Sequence, residues 1–271
     1  HDCCQPIAQD YLAVERAAVE CAYAGASSIW IICNDDQQPL IRHRLGDYLG
    51  DPTSLRRSNF VVSKEAEIKY CPIFYVPIHH RDRDKRDCLS WSVLHGAMTA
   101  NKITSLISKW ALPDRFYISF PYGVYPPHLL RSQRQRILKN QQFYITFGGK
   151  TVKDDEYLGF SLTQEDIPRL AKYVRKKGTG RFLPNQSPED LIYGRSPAKE
   201  YPVEKRNSAR FFSLSDVFNQ ETMSEGEFLE IEEYSNIGSW EGLRRYWASD
   251  LSNKIVRPSK RLLQYHELAP T

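Results

Sequence analysis

Two rhythms of apolar and polar residues alternate along the first 130 positions. Between Ile7 and Ala24, the residues Tyr11, Val14, Ala18, Cys21 and Ala22 recur at helical spacing, and Gly25 offers a stop. Ser28-Ile29-Trp30-Ile31-Ile32-Cys33 is then a continuous apolar run of strand length, as suits a strand covered on both faces. A second helix is predicted after Pro39, with Ile41, Leu45, Tyr48 and Leu49 facing inward and Gly50-Asp51-Pro52 closing it. The pattern repeats: a strand over Cys71–Ile78, a helix from about Leu89 to Lys109 with Val93, Ala97, Ala100 and Ile107 as its buried stripe, and a strand over Phe116–Phe120. Alternating strands and helices predict right-handed crossovers and a parallel sheet.

The second half changes character. Gln142–Phe147 reads as a strand, Gly148-Gly149 as a turn and Leu158–Phe160 as a short strand. A helix is predicted over Thr163–Lys176, opened by a capping box of Thr163 and Asp166 and buried through Ile167, Leu170, Ala171 and Val174. Residues 178–210 are rich in proline, glycine and charge and read as a long arm. A last amphipathic helix is expected over Ser239–Ser249, anchored by Leu243, Tyr246 and Trp247. The expected fold class is α/β, a three-layer arrangement with a mostly parallel central sheet and flanking helices, plus a mixed α+β C-terminal part. Its divisions are an α/β core over 1–130, a sheet and helix continuation over 131–177, and an arm and helical region over 178–271.

Composition narrows the class. At 271 residues, 41% hydrophobic and 26% charged, the chain can fill a core. No apolar run approaches the roughly 20 residues that cross a bilayer. Six cysteines fall in the first third without a CxxC pair, which points to a reducing, cytoplasmic setting rather than a disulfide framework. The net charge of +4 is mild and selects no partner. The first residue is His1 and the first expected element is already a helix, so further chain is expected ahead of it.

Candidate chemistry sits where strands end. Asn34-Asp35-Asp36 follows the first strand, where a parallel sheet presents ligands; these carboxylates could orient a ribose or a Mg²⁺-bound water, or cap the next helix. The loop 79–87, with His79 and His80 and alternating Arg and Asp, is a solvated ion-paired loop or a ligand-facing one. In Pro121-Tyr122-Gly123-Val124-Tyr125, glycine permits close backbone approach and the tyrosines could stack on a base or sugar, or pack a rim. The basic run Arg131–Arg136 could meet phosphates, but one basic helix face is more often solvated, so nucleic acid is not the expected partner. GxGxxG, GxxxxGK[ST] and GxSxG are all absent, which excludes the ordinary dinucleotide, P-loop and nucleophile-elbow readings.

Gln5-Pro6, the Val14–Gly25 helix with its Ala-Gly end, the Ile29–Asn34 strand, the Leu89–Lys109 helix and the Phe116–Phe120 strand together resemble, in order and texture, the nucleotide-diphospho-sugar transferase fold. The likeness is to sugar-1-phosphate nucleotidyltransferases and covers about residues 5–125. Gln5-Pro6 stands where that family carries Lys-Pro, and Pro121-Tyr122-Gly123 where it carries an acidic residue. Its glycine-rich phosphate loop has no counterpart in the chain. The resemblance implies a nucleotide or nucleotide-sugar ligand, Mg²⁺ if the protein is an enzyme, nucleotide contacts at Asp35, Asp36, Trp91 and Gly123, and a phosphate contact at Lys150. The alternative is a non-catalytic binding or assembly subunit of the same fold, with the 178–210 arm wrapping a protein partner.

Overall fold

A computed structural model describes residues 2–53, 69–78, 82, 88–107, 113–139, 142–178, 212–219, 226–258 and 263. Most of the 79–87 loop and of the 178–210 arm lies outside these residues. The chain opens with a hairpin, β1 (Pro6–Ala8) and β2 (Tyr11–Leu12), turned by Asp10 at φ 53°. Helix α1 (Ala13–Ala24) therefore begins six residues later than the apolar spacing predicts. A left-handed residue cannot continue a right-handed helix, and Asp is among the few side chains that tolerate it. The Glu15 carboxylate accepts the Leu12 amide at 2.7 Å to start α1, and Gly25 at φ 96° ends it.

Two larger sheets follow. The first holds β3 (Ile29–Cys33), β4 (Tyr48–Gly50) and β5 (Tyr70–Pro77) in the order β3-β5-β4. Strands β3 and β5 run parallel, from Ile29 opposite Ile73 to Cys33 opposite Pro77, and β4 is antiparallel to β5. Between them α2 spans Gln38–Leu45. Tyr48 and Leu49, expected on that helix, lie instead in β4. Gly46, at φ 68°, ends α2 first and turns the chain, leaving Tyr48 55% exposed. Helix α3 (Leu89–Ile107) packs on β3 so closely that a Cβ on Gly96 would sit 2.6 Å from the Ile32 side chain. Its buried side is Trp91, Leu94, Ala97 and Ala100; Ile107, expected in that stripe, is 79% exposed at the helix tip, beyond the sheet it covers.

The second sheet is ordered β10-β8-β9-β6, from β6 (Arg115–Ile118), β8 (Phe143–Thr146), β9 (Phe160–Thr163) and β10 (Glu227–Glu230). Strand β6 therefore does not neighbour β3 or β5, as the alternating pattern predicts; it pairs antiparallel with β9. The fully buried β8 takes the interior of this sheet, while β6 is its half-buried edge. Short β7 (Gly123–Val124) pairs with β11 (Ser235–Asn236). Helices α4 (Arg134–Lys139), α5 (Asp166–Gly178), α6 (Leu214–Phe218), α7 (Trp240–Trp247) and α8 (Leu251–Lys254) complete the described chain. The class is thus α/β, with several sheets and flanking helices. The predicted capping box forms at α5, where Thr163 and Asp166 exchange amide hydrogen bonds at 3.3 Å. On α7, Leu243 and Tyr246 anchor as expected, but Trp247 is half exposed. Among the described residues no helix is long and apolar enough to cross a membrane, and the six cysteines form no disulfide.

One charged pair ties α1 to the second sheet. Arg16 and Glu20, one helical turn apart, are both completely buried and meet at 2.8 Å. Each Glu20 oxygen accepts two hydrogen bonds. Oε1 receives the Tyr117 and Tyr125 hydroxyls at 2.6 Å, and Oε2 receives Ser119 at 2.6 Å besides Arg16. Arg16 also donates to the Phe120 carbonyl at 2.7 Å, and its guanidinium lies 4.8 Å from the centre of the Tyr125 ring. Burial, then the Glu20 charge, pushes both tyrosine hydroxyls well above their ordinary pKa, so they remain donors. A second arginine closes the other end of α1: Arg134 donates to the Tyr23 carbonyl at 2.9 Å, to the Ala22 carbonyl at 2.5 Å and to Asp51 at 2.7 Å.

Truncating one partner of the buried pair leaves the other charge uncompensated, which costs about 3–5 kcal/mol. Glu20→Ala is therefore expected to lower folding stability by about that much, read from the urea midpoint. Glu20→Leu combined with Arg16→Met should be milder than the sum of the two single changes. An additive double variant would show that the pair does not act as a unit.

Candidate functional site

The parallel pair β3–β5 delivers its carboxyl ends to one edge of the first sheet, the usual place for a ligand in an open α/β sheet. In the turn after β3 the Asn34 carbonyl accepts the amides of Gln37 and Gln38, both at 3.0 Å. The N-cap of α2 is Gln37, with no side-chain capping bond, and Pro39 sits in the first turn, where its missing N–H costs nothing. The N-cap position itself is thus filled by Gln37 and not by Asp35 or Asp36. Both side chains are exposed at the sheet edge.

The neighbours of this edge are thiols and a tyrosine. The 3₁₀ turn Asp2–Cys4 brings Cys4 near Cys33, and Cys3 and Asp2 near Tyr122. The Cys3 and Cys4 sulfurs are 3.8 Å apart. Burial first, then the negative charges of Asp35 and Asp36, pushes the Cys33 thiol up to about 11. Burial and Cys4 push Cys3 up to about 12, and burial with Cys3 and Asp2 pushes Tyr122 up to about 12. All three are protonated and weakly nucleophilic at neutral pH. Among the described residues, no group of three or more His, Cys, Asp or Glu is placed to hold a metal.

The five residues singled out in the sequence do not form one constellation. Asp35 and Asp36 stand at the β3 edge. Gly123, in β7, follows Tyr122 on the side of the Asp2–Cys4 turn, but it is buried, and a Cβ there would run into the Tyr157 carbonyl oxygen. Close backbone approach is thus real at Gly123, and its partner is protein. Trp91 is only 2% exposed in the core under α3, with the Arg175 guanidinium 5.7 Å from its ring centre. Lys150 is exposed at the foot of the second sheet, beyond the turn of Gly148 and Gly149 at φ 55° and 75°. The basic run at 131–136 is largely spent on structure, Arg134 on the end of α1 and Arg136 on Glu227 and Gln133. Tyr122 belongs to the turn whose tyrosines the sequence offers for stacking, whereas Cys33 reads only as part of an apolar strand. The available signal for Cys33 was position, since it stands at the end of that strand.

Gly123→Ala is expected to destabilise the protein, because a backbone carbonyl cannot swing aside as a side chain can; an unchanged thermal midpoint would contradict the packing described. The carboxylates at the edge make a second prediction. With Asp35→Asn and Asp36→Asn together, two of the causes that raise the Cys33 pKa vanish, so it should fall below about 11 while burial keeps it above that of a free thiol. Mass-spectrometric rates of iodoacetamide alkylation at Cys33, taken across pH, measure it; a profile identical to wild type would remove Asp35 and Asp36 from the thiol's surroundings.

No family model matches the chain, and no curated protein matches it at a significant level. Among solved structures, that of UDP-glucose pyrophosphorylase complexed with UDP-glucose is similar at a TM-score of 0.49 and 14% identity, over 93% of this chain and 89% of that one. At that score the likeness is too loose to transfer a residue or a function.

Proposed function

We propose that this protein binds a nucleotide or nucleotide sugar at the carboxyl edge of the β3–β5 pair, as a sugar nucleotidyltransferase-like protein would. The observation that carries this reading is the turn at 34–38. Two adjacent carboxylates are exposed at the end of a parallel strand, in the turn that leads into α2. Carboxylates beside the edge of a sheet suit a ribose hydroxyl or a hydrated cation.

Mg²⁺ is commonly held by one or two carboxylates together with substrate phosphates and water, and the donor set of Asp35 and Asp36 fits that habit. Those two residues would hold it, and it would supply neutralisation of phosphate charge. The chain's own contribution is orientation: Asp35 and Asp36 fix where a polar ligand meets the edge, and buried Cys33 keeps the floor of the turn uncharged. The six cysteines without a disulfide suit a cytoplasmic setting.

A second reading, a non-catalytic binding or assembly subunit, is favoured by one further observation. Trp91 and Gly123, both expected to meet the nucleotide, are taken up in internal packing. Binding without turnover then remains the function, and a protein partner would engage the 178–210 arm.

Titration with ATP, CTP, GTP and UTP, each with and without Mg²⁺, tests the binding reading through tryptophan fluorescence, since Trp30 lies on β3 itself. At least one nucleotide is expected to give a saturable, Mg²⁺-dependent change that Asp35→Ala with Asp36→Ala weakens by tenfold or more. No response to any of the four, or one equally strong in the double variant, would sink the proposed site. A pyrophosphate-release assay with sugar 1-phosphates on the same protein then separates the two readings.

A further inference from the structure

The second sheet contains a parallel pair of its own, β8 and β10, in register from Glu227 opposite Phe143 to Glu230 opposite Thr146. Their carboxyl ends open into a cleft of about 470 Å³ with α7 and α8 on its far side. We infer that this cleft is a binding site for a neutral carbohydrate, separate from the β3–β5 edge.

Three features of the cleft point to that chemistry. Its size suits one or two sugar rings, within the range of about 300–1,000 Å³ usual for ligand clefts. Its wall carries an aromatic corner, the rings of Phe147 and Tyr234 with centres 5.4 Å apart and planes at 50°. Such faces pack against the C–H face of a pyranose. The remaining lining carries planar charged groups: Glu232 and Asp250 can accept and Arg245 can donate. Groups of this shape can each engage two neighbouring hydroxyls.

The wall is also fixed in advance. The Tyr234 hydroxyl donates to Glu156 at 3.0 Å and accepts the Tyr157 amide at 3.0 Å, while the Asn236 amide donates to Glu156 at 3.2 Å. On the β8 side, Glu230 binds the Thr146 hydroxyl and the Gly148 amide, which holds the turn beyond Phe147. Those donors keep the Glu230 carboxyl below its ordinary pKa, so it remains an acceptor.

Charge selects between ligand classes. The acids Glu232 and Asp250 are opposed by Arg245 within the cleft, and Glu233 is bonded to Lys254 beside it. With Lys254 counted, three acids meet two bases, and this small negative excess disfavours a strong anion; the aromatic corner then favours an uncharged polyhydroxylated ligand over an organic cation.

Saturation-transfer NMR on the whole protein, without nucleotide or Mg²⁺, tests this with methyl α-glucoside, N-acetylglucosamine and maltose, and with spermidine as the cationic comparison. Because nucleotide is absent, failure of the nucleotide reading leaves this test intact. At least one saccharide should show millimolar binding that Glu232→Ala with Asp250→Ala weakens tenfold or more; both side chains are exposed, so the melting temperature should hold. Phe147→Leu should weaken the same saccharide by removing the ring. Spermidine binding without any saccharide, silence from all three saccharides, or saccharide binding unchanged in both variants would each overturn the inference.

Discussion

The buried contact between Arg16 and Glu20 is the constraint around which the rest of the molecule is arranged. Two charges taken wholly out of water are tolerable only if every lone pair and most donors are met, and Glu20 achieves this with four donors drawn from α1, β6 and the segment leading through β7. Each donor must arrive from a fixed direction. The pair therefore does less for net stability than a well-packed apolar pair could, and more for position: α1 can dock on the second sheet in one register only. Gly159 belongs to the same arrangement, since a Cβ there would collide with the Tyr117 hydroxyl and sit 2.6 Å from Glu20, while its amide reaches the Tyr125 hydroxyl at 3.2 Å.

That docking has a consequence at the other end of the chain. A second acidic position on α1, Glu15, is also buried and is approached by Arg44 at 3.1 Å and Arg257 at 3.6 Å, both of which reach Asp10 as well. Arg44 comes from the end of α2 and Arg257 from the segment after α8. One face of α1 is thus tied to the second sheet, and its N-terminal turn to α2 and to residue 257. The Tyr246 hydroxyl, donating to the Ile7 carbonyl at 2.6 Å, adds a further link from α7 to the opening hairpin. The ties made by Arg257 and Tyr246 run between segments more than 200 residues apart in sequence, and the apolar cluster of Ile7, Val14, Ile29, Leu243 and Leu251 fills the space between them.

How much of this was legible depends on what kind of information each feature needs. The run Ile29–Cys33 reveals its strand because five consecutive apolar residues leave no polar position to confuse the period, although β3 is an edge strand whose middle is only half-buried, and α5 reveals itself through a cap and a four-residue stripe. Pairing partners are another matter. Strand β6 follows a long helix just as a crossover strand would, yet nothing local says which sheet receives it; the edge of the second sheet and the Tyr117 hydroxyl at Glu20 decide that. Tyr48 and Leu49 fit a helical spacing that Gly46 interrupts. Arg16 and Glu20 do not stand out in the sequence, because charged residues on a helix are ordinarily solvated. Their one visible signal was an Ala- and Val-rich helix with too few polar positions to give it a wet face.

The candidate sites divide along the same line. The place of Asp35 and Asp36 after a strand is local information, whereas the reading of Trp91 and Gly123 rests on what these residues could do in isolation. A tryptophan is first a large apolar body and a glycine first a place where backbones approach; in a folded chain both properties are claimed by the nearest protein neighbour, here α3's own core and Tyr157. The cleft beside β8 and β10 could not be seen that way at all. Its polar groups come from residues 232–236 and 245–250, with Phe147 supplied from nearly a hundred positions earlier, and only the parallel pairing of two strands separated by the whole of α5 and α6 brings them together. Both sheets thus end in polar groups at the carboxyl edge of a parallel pair. That shared geometry follows from how parallel strands present their carbonyl ends and the loops that leave them, and residue identity then sets the chemistry, with carboxylates at one edge and a mixed aromatic and polar lining at the other.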